Sequence, residues 1–338
     1  MAKLMIMGAG GMGTALAVAF SQMGHQVWLW GWSAEENAAI RAARENVPLL
    51  KGVKIPEEVE IVDTAEAAAC CDLALIATPT IGVRGAAGTL RGVLPAGRPV
   101  ACTSKGLEPK TLLPLHEVAA QELPGHPFVA LSGPSHAEEL SRGIPTVLAA
   151  ASHSLAAAQQ VQELTEGTHI RIYTNDDLMG VELGGALKNV IAFASGVIDG
   201  MGYGDNTKAA LMTRGLTEIA RLGTRMGARA ETFAGLAGVG DLIVTCCSQH
   251  SRNHRCGVYV GEGLTVKEAI AKVGMTVEGV TAALCAHELA EKLGVEMPIT
   301  EQIYRLIEGE VTARQAVAAL LGRPQRHESE TNWLGEIG

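Results

Sequence analysis

The apolar run Lys3–Met7 (KLMIM) ends directly in Gly8-Ala9-Gly10-Gly11-Met12-Gly13, and Thr14–Met23 then has helical composition. A strand, a glycine loop and a helix in that order leave few folds open. In the GxGxxG pattern the three glycines act differently, since Gly8 makes the tight turn, Gly10 lets backbone approach a pyrophosphate, and Gly13 packs helix on strand. The helix that follows turns its free N–H groups toward phosphate. Gly11 and Met12 lie inside the same loop and complete the candidate nucleotide site. In a chain with 40 glycines the pattern alone arises by chance, so its place between strand and helix carries the reading.

Further apolar runs follow at Gln26–Trp30, Asp72–Ala77, Pro99–Thr103, Phe128–Ser132 and Thr146–Ala151, spaced by helical patterns, with His169–Tyr173 as a final candidate strand. This alternation predicts an α/β fold, a doubly wound, mostly parallel Rossmann-type sheet. From Asp176 onward the strand signal stops. Helical periodicity takes over at Leu178–Val197, Lys208–Met226, Val266–Lys272, Val277–Lys292, Thr300–Glu308 and Ala313–Leu321. We therefore expect a nucleotide-binding domain over 1–175, an all-α substrate and catalytic domain over 176–325, and a polar, fraying tail over 326–338. A length of 338 residues with 47% hydrophobic content suits two domains of ordinary size.

Net charge is −9 and the lysines and arginines are scattered, which argues against a nucleic-acid or membrane footprint. An anionic substrate must then be met by a few locally placed cations. Seven cysteines, odd in number and without CxxC or disulfide-framework spacing, read as reduced cytoplasmic thiols. Cys246, Cys247, His250, His254 and Cys256 match no standard zinc framework, so no metal is expected. Neither a leader with a cleavage site nor a run of about 18 uninterrupted apolar residues is evident.

The second strand should end in Asp or Glu where NAD is favoured through its ribose, but it reads Trp30-Gly31-Trp32-Ser33. Glu35 and Glu36 come late and suit the start of the next helix, whereas Arg41 and Arg44 lie within reach of a 2′-phosphate. The expectation is use of NADP or NAD, with NADPH at least comparable to NADH. Trp32 is expected beside the adenosine, with surface packing as the alternative.

Residues Glu182–Thr217 place Lys188 in a long run of small and apolar residues that reads as a buried helix. An ammonium there is costly to desolvate. It either snorkels to the surface or serves as a proton donor and acceptor, its pKa pulled down by burial and by the charge of Lys105. Lys105, in Ser104-Lys105-Gly106, and Gly133 with Ser135, in Ser132-Gly133-Pro134-Ser135, follow successive strand ends, the edge where open α/β sheets bind ligands. Each reads alternatively as a plain loop. Asn189 is a neutral neighbour able to orient ligand or lysine. Asp241, in Gly238-Val239-Gly240-Asp241, holds Lys188 and substrate hydroxyls or caps a helix from Leu242. Ser251-Arg252-Asn253 reads as a helix start where hydroxyl, guanidinium fork and free N–H groups converge, the parts of a phosphate site. Asp199, Asp205 and Lys208 read as an interhelix turn facing solvent or a neighbouring subunit.

These blocks, from GAGGMG through SKGLE, LSGPSHAEE, ELGGALKNV, AGVGDLIVTC and SRN to TVEGV and EMPITEQIY, resemble NAD(P)-dependent glycerol-3-phosphate dehydrogenase over nearly the whole chain. The resemblance implies reversible NAD(P)H-dependent reduction of dihydroxyacetone phosphate to sn-glycerol 3-phosphate, supplying glycerophospholipid synthesis, and leaves room for a homodimer. It implies Lys188 as the proton donor and acceptor, and Lys105, Gly133, Ser135, Asp241, Ser251, Arg252 and Asn253 at the substrate. It further implies Lys105, Ala137, Arg252, Thr276 and Glu278 near the cofactor. Two departures stand out: Gly11-Met12 where the family often has Ser and an aromatic, and Leu49-Leu50-Lys51-Gly52 where it often has aromatic-Leu-Pro-Gly. A hydroxyacid or ketopantoate-type reductase of the same plan is the rival reading; it needs a carboxylate site and no phosphate clamp.

Overall fold

The structure is a computed structural model that describes residues 1–325 and 328. The chain forms two compact units. One comprises Met1–Ser104 and Leu113–Leu178, the other Lys105–Leu112 together with the described residues from Met179 on. The short Lys105–Leu112 excursion thus groups with the helical part of the chain, a detail no linear boundary near residue 175 conveys. The expected tail, 326–338, lies outside the described residues apart from Glu328.

The first unit is built on one eight-stranded sheet: β1 (Lys3–Met7), β2 (Gln26–Trp30), β3 (Val59–Val62), β4 (Leu73–Ile76), β5 (Val100–Cys102), β6 (Phe128–Ser132), β7 (Thr146–Ala151) and β8 (Ile170–Asn175). Their order is β3-β2-β1-β4-β5-β6-β7-β8. Order reverses between β1 and β4, the switch point where ligands of doubly wound sheets bind. Neighbours are parallel except that β7 runs antiparallel to β6. Central strands such as β4 (LALI) are buried throughout, as a sheet covered on both faces requires. The unanticipated strand, β3 (VEIV), sits at the sheet edge and alternates buried and exposed, so it carries no apolar run to read.

Helices of this unit are α1 (Gly11–Gln22), α2 (Ala34–Ala43), α3 (Val83–Leu90), α4 (Leu115–Glu122), α5 (Ala137–Leu140) and α6 (Leu155–Glu163). Every residue of α1 from Gly13 to Phe20 is buried, which matches its near absence of polar side chains. Register aligns Met7, Trp30 and Ile76 at the carboxyl ends of their strands, so the glycine loop and Trp32 emerge along one edge.

The second unit is helical: α7 (Leu178–Gly200), α8 (Asp205–Arg225), α9 (Ala230–Phe233), α10 (Asp241–Cys247), α11 (Arg252–Gly261), α12 (Val266–Val273), α13 (Glu278–Leu293), α14 (Pro298–Ile307) and α15 (Ala313–Leu321), with a wide π-type turn over Leu236–Gly240. By length and composition α7 is apolar enough to cross a membrane, yet its apolar stretch is wholly buried within the protein. It is the core helix on which Leu183, Leu187, Ile191 and Phe193 gather the apolar side chains of the unit.

Candidate functional site

The glycine loop of the first unit has a shape that only small residues permit. Gly8 has φ +125° in the left-handed region, and a Cβ there would lie 2.9 Å from the Ala77 carbonyl. At Gly13 a Cβ would lie 1.8 Å from the Gly8 oxygen. Around Gly10 the nearest protein atom to such a Cβ is 3.9 Å away, so the fold does not crowd this position. Among the described residues no side chain caps the N-terminus of α1. Open backbone at Gly10 and an uncapped helix start fit a pyrophosphate. The loop is tied from a distance by Asn46, whose amide donates to Ala9 O at 2.8 Å and Thr14 Oγ1 at 3.0 Å while buried. No sequence pattern marks Asn46, because its partners lie over thirty residues away.

The two departures in this unit are neighbours. A Cβ on Gly11 would lie 2.9 Å from Leu49 O, so the segment that lacks the aromatic also crowds the loop position that lacks the serine. Met12 packs against the apolar core of the unit. Trp32 is 60% exposed just beyond β2 and stands edge-on to Trp30 at 4.7 Å between ring centroids.

Arg41 and Arg44 are engaged otherwise than expected. Arg41 donates both guanidinium nitrogens to Asp63, at 2.9 and 2.8 Å, and Arg44 reaches Val59 O at 3.1 Å and the Pro56 carbonyl. Their prior contacts remove the argument that either waits for a 2′-phosphate. Glu35 and Glu36 do open α2, with Ser33 as its cap. Gly133 has φ +136°, and a Cβ there would lie 3.0 Å from Val147 O, so the fold itself demands glycine where ligand approach had been the expected reason. Ser135 donates to Gly133 O at 3.0 Å, and Ala137 opens α5.

In the second unit the chemistry converges on one carboxylate. Lys188 in α7 and Asp241 at the start of α10 are 5% and 1% exposed. Lys188 Nζ donates to Asp241 Oδ1, and Lys105 Nζ donates to Asp241 Oδ2 at 2.7 Å. The snorkelling alternative for Lys188 is therefore excluded. Asp241 is not a cap: Gly240 holds that position in α10, and no side-chain cap is present among the described residues. Lys188 Nζ also donates to Thr245 Oγ1 at 2.7 Å, while that hydroxyl donates to Asp241 O at 2.6 Å. Since the hydroxyl proton is committed to a carbonyl, its lone pairs face the lysine in either protonation state. An ammonium has three N–H groups, and the bonds to Asp241 and Thr245 engage two of them. Thr245 was missed in the sequence; its spacing of four from Asp241 on a helix start is the signal that would have found it.

Desolvation pulls the Lys188 ammonium down to about 7, assisted by Lys105 and opposed by Asp241. Burial alone would raise the Asp241 carboxyl, but Lys105 and Lys188 together hold it below the ordinary carboxylate range. The result is a permanently charged acceptor beside a lysine poised to give or take a proton near neutrality.

An amide relay ties this cluster to the Ser-Arg-Asn turn. Asn189 Nδ2 donates to Lys105 O at 3.3 Å, and Asn253 Nδ2 donates to Asn189 Oδ1 at 2.9 Å. Asn253 Oδ1 in turn accepts from Gly279 N at 2.9 Å, next to Glu278 at the start of α13. Ser251 caps α11 by accepting from His254 N at 3.2 Å, and Arg252 opens the helix in an exposed position. Thr276 is exposed just before α13. Asp199 and Lys208 do not face away as a solvent turn: they pair at 2.7 Å, and Asp199 also meets His254 of α11 at 2.7 Å. All seven cysteines are free thiols.

A dinucleotide-type sheet joined in sequence to a helical unit with a buried lysine–carboxylate–lysine cluster defines the class of two-unit NAD(P)-linked dehydrogenases. Family models for the N-terminus and C-terminus of NAD-dependent glycerol-3-phosphate dehydrogenase match residues 3–158 and 177–318. The chain belongs to the NAD-dependent glycerol-3-phosphate dehydrogenase family. It is 48% identical over 330 residues to a Desulfitobacterium hafniense protein named glycerol-3-phosphate dehydrogenase (NAD(P)+), covering 98% of this chain and 94% of that one. The crystal structure of glycerol-3-phosphate dehydrogenase from Coxiella burnetii matches with a TM-score of 0.92 and 37% identity, over 95% of this chain and 99% of that one. A ketopantoate reductase of the PanE/ApbA family from Ralstonia eutropha shares only the fold, with 14% identity and a TM-score of 0.59 over 93% and 99% of the two chains.

Proposed function

We propose that this chain catalyses the reversible NAD(P)H-dependent reduction of dihydroxyacetone phosphate to sn-glycerol 3-phosphate, with Lys188 as proton donor in reduction and acceptor in oxidation. The observation that carries the reading is the buried Lys188, fixed by Asp241 and Thr245 and lowered to about 7. A bound nicotinamide supplies or takes the hydride. The chain's own part is to hold the ketone oxygen against the remaining N–H of Lys188 and deliver a proton to it. Asp241 keeps its charge throughout and holds both lysines in place. Ser251, Arg252 and the N-terminus of α11 grip the phosphate, and Lys105 and Asn253 orient the rest of the substrate.

The absence of a carboxylate at the end of β2 supports use of both cofactors, with NADPH at least comparable to NADH. Asp63, already paired with Arg41, offers no free anion to favour the NAD ribose. Free thiols suit a reducing, cytoplasmic setting, and the product suits supply of glycerophospholipid synthesis. The test follows loss of NADPH and NADH absorbance with dihydroxyacetone phosphate. Wild type should turn over with both, and Lys188→Ala should bind cofactor yet lose roughly 10²–10⁴-fold in kcat. Near-normal turnover by Lys188→Ala would remove the lysine from the mechanism.

A further inference from the structure

Helix α11 carries the Ser251-Arg252-Asn253 turn at its N-terminus and lies along α7, the helix of Lys188. The two run in the same direction. Asn253 bonds Asn189, a Cβ on Gly257 would meet Phe193 O at 2.0 Å, and one on Gly261 would meet Val197 O at 2.2 Å. Each step of four residues on one helix advances four on the other. Backbones in direct contact fix the separation of two helices, but a glycine face has no side chains to oppose sliding or rotation. Either movement would shift the substrate turn against Lys188.

Directional bonds then set the register together with the buried Cys256 and Val260 of α11. One is the Asn253–Asn189 pair. Another is His254, whose Nε2 lies 2.7 Å from Asp199 Oδ2, in the last turn of α7. A carboxylate only accepts, so Nε2 donates. The imidazole is held in a confined place, with Nδ1 buried and without a hydrogen-bond partner among the described residues. Lys208, in the first turn of α8, pairs with the same Asp199 oxygen at 2.7 Å and offsets the desolvation of the carboxylate. His254 follows directly on Arg252 and Asn253, and its own N–H is the donor that Ser251 caps.

We infer that Asp199 and His254 form a positioning pair for the substrate-binding turn, with Lys208 bracing the carboxylate. The pair touches neither substrate nor cofactor; it sets where Ser251, Arg252 and Asn253 stand relative to Lys188. This rests on the dihydroxyacetone phosphate reading above.

Two amide substitutions separate positioning from bulk. In His254→Gln the amide nitrogen takes the place of Nε2 and reaches Asp199; in His254→Asn it takes the place of Nδ1 and does not. Steady-state kinetics with dihydroxyacetone phosphate should show KM near wild type for His254→Gln. For His254→Asn, KM should rise about ten- to hundredfold, the scale on which small misplacements act, with a smaller change in kcat. Asp199→Ala should match His254→Asn, and the double variant should be no worse than either. Melting temperature and circular dichroism of the same samples report the fold. Equal kinetics for the Gln and Asn variants, or a rise in KM that tracks loss of melting temperature in both, would overturn the inference. Failure of wild type itself to reduce dihydroxyacetone phosphate would instead overturn the functional reading, and the wild-type control detects that separately.

Discussion

At the scale of single residues, Lys188 and Asp241 show how burial and charge compete. Burial disfavours the ammonium, Lys105 adds repulsion, and Asp241 works the other way. Replacing Asp241 with Asn therefore removes a charge that keeps the Lys188 proton on. With Lys188 in its proposed role as proton donor, kcat/KM for reduction should fall as pH rises through about 7 in the wild type. In Asp241→Asn that fall should move to lower pH, alongside an overall loss of rate from the misplaced lysines. A pH–rate series on both proteins measures it. Movement of the limb to higher pH would mean that Asp241 acts on Lys188 by something other than its charge.

Among elements, α14 shows how a buried carboxylate organises a helix start. Glu218 of α8 accepts from Ile299 N at 2.6 Å and from Thr300 N and Thr300 Oγ1, both at 3.1 Å, so it caps α14 from another helix. Glu218→Ala leaves those donors unpaired and should cost about 1–3 kcal/mol, visible in urea unfolding. Burial raises the Glu218 carboxyl to about 7 against the bonds that favour its ion. The native state then binds more protons than the unfolded chain between the ordinary value of 4.5 and about 7. The contribution of Glu218 is therefore full below that window and declines as pH rises through it. The wild-type advantage over Glu218→Ala should accordingly be larger at the acid end of the window. An advantage that grows with pH would show that the three donors outweigh burial.

Elements also show what the sequence made legible. Strands buried on both faces announced themselves as apolar runs, and α7 did so by length. The edge strand β3 did not, since one covered face leaves only VEIV to read. Asp241 invited a capping role as an Asp placed just before a helix expected from Leu242, but the π-type turn over Leu236–Gly240 delivers it already inside helical geometry. Asn46 and Thr245 escaped for opposite reasons: one acts across a long sequence separation, the other is an ordinary threonine until its lysine is in place. Arg41 and Arg44 read as free cations because their partners, Asp63 and the carbonyls of Pro56 and Val59, are brought near only by folding.

For the whole molecule, architecture does not choose the substrate. The ketopantoate reductase of Ralstonia eutropha shares the fold over 93% of this chain at 14% identity, so one plan carries more than one chemistry. On the proposed reading, a handful of groups on the helical unit separates a phosphorylated substrate from a carboxylate. Arg252, at the exposed start of α11, is the residue we propose for the phosphate, as a planar fork at a helix N-terminus. Arg252→Ala should therefore weaken use of dihydroxyacetone phosphate by about 2–5 kcal/mol in kcat/KM, as expected on losing a charge-assisted contact. Arg252→Lys should recover part of that loss, because it restores the charge without the fork. Unphosphorylated dihydroxyacetone should be a poor substrate for all three proteins and nearly indifferent to the change. The decisive quantity is the difference between the two substrates across wild type and variant. Equal losses on both would place Arg252 in support of the fold or the nucleotide, and the phosphate would then have to be held by Lys105 and the α11 N-terminus without it.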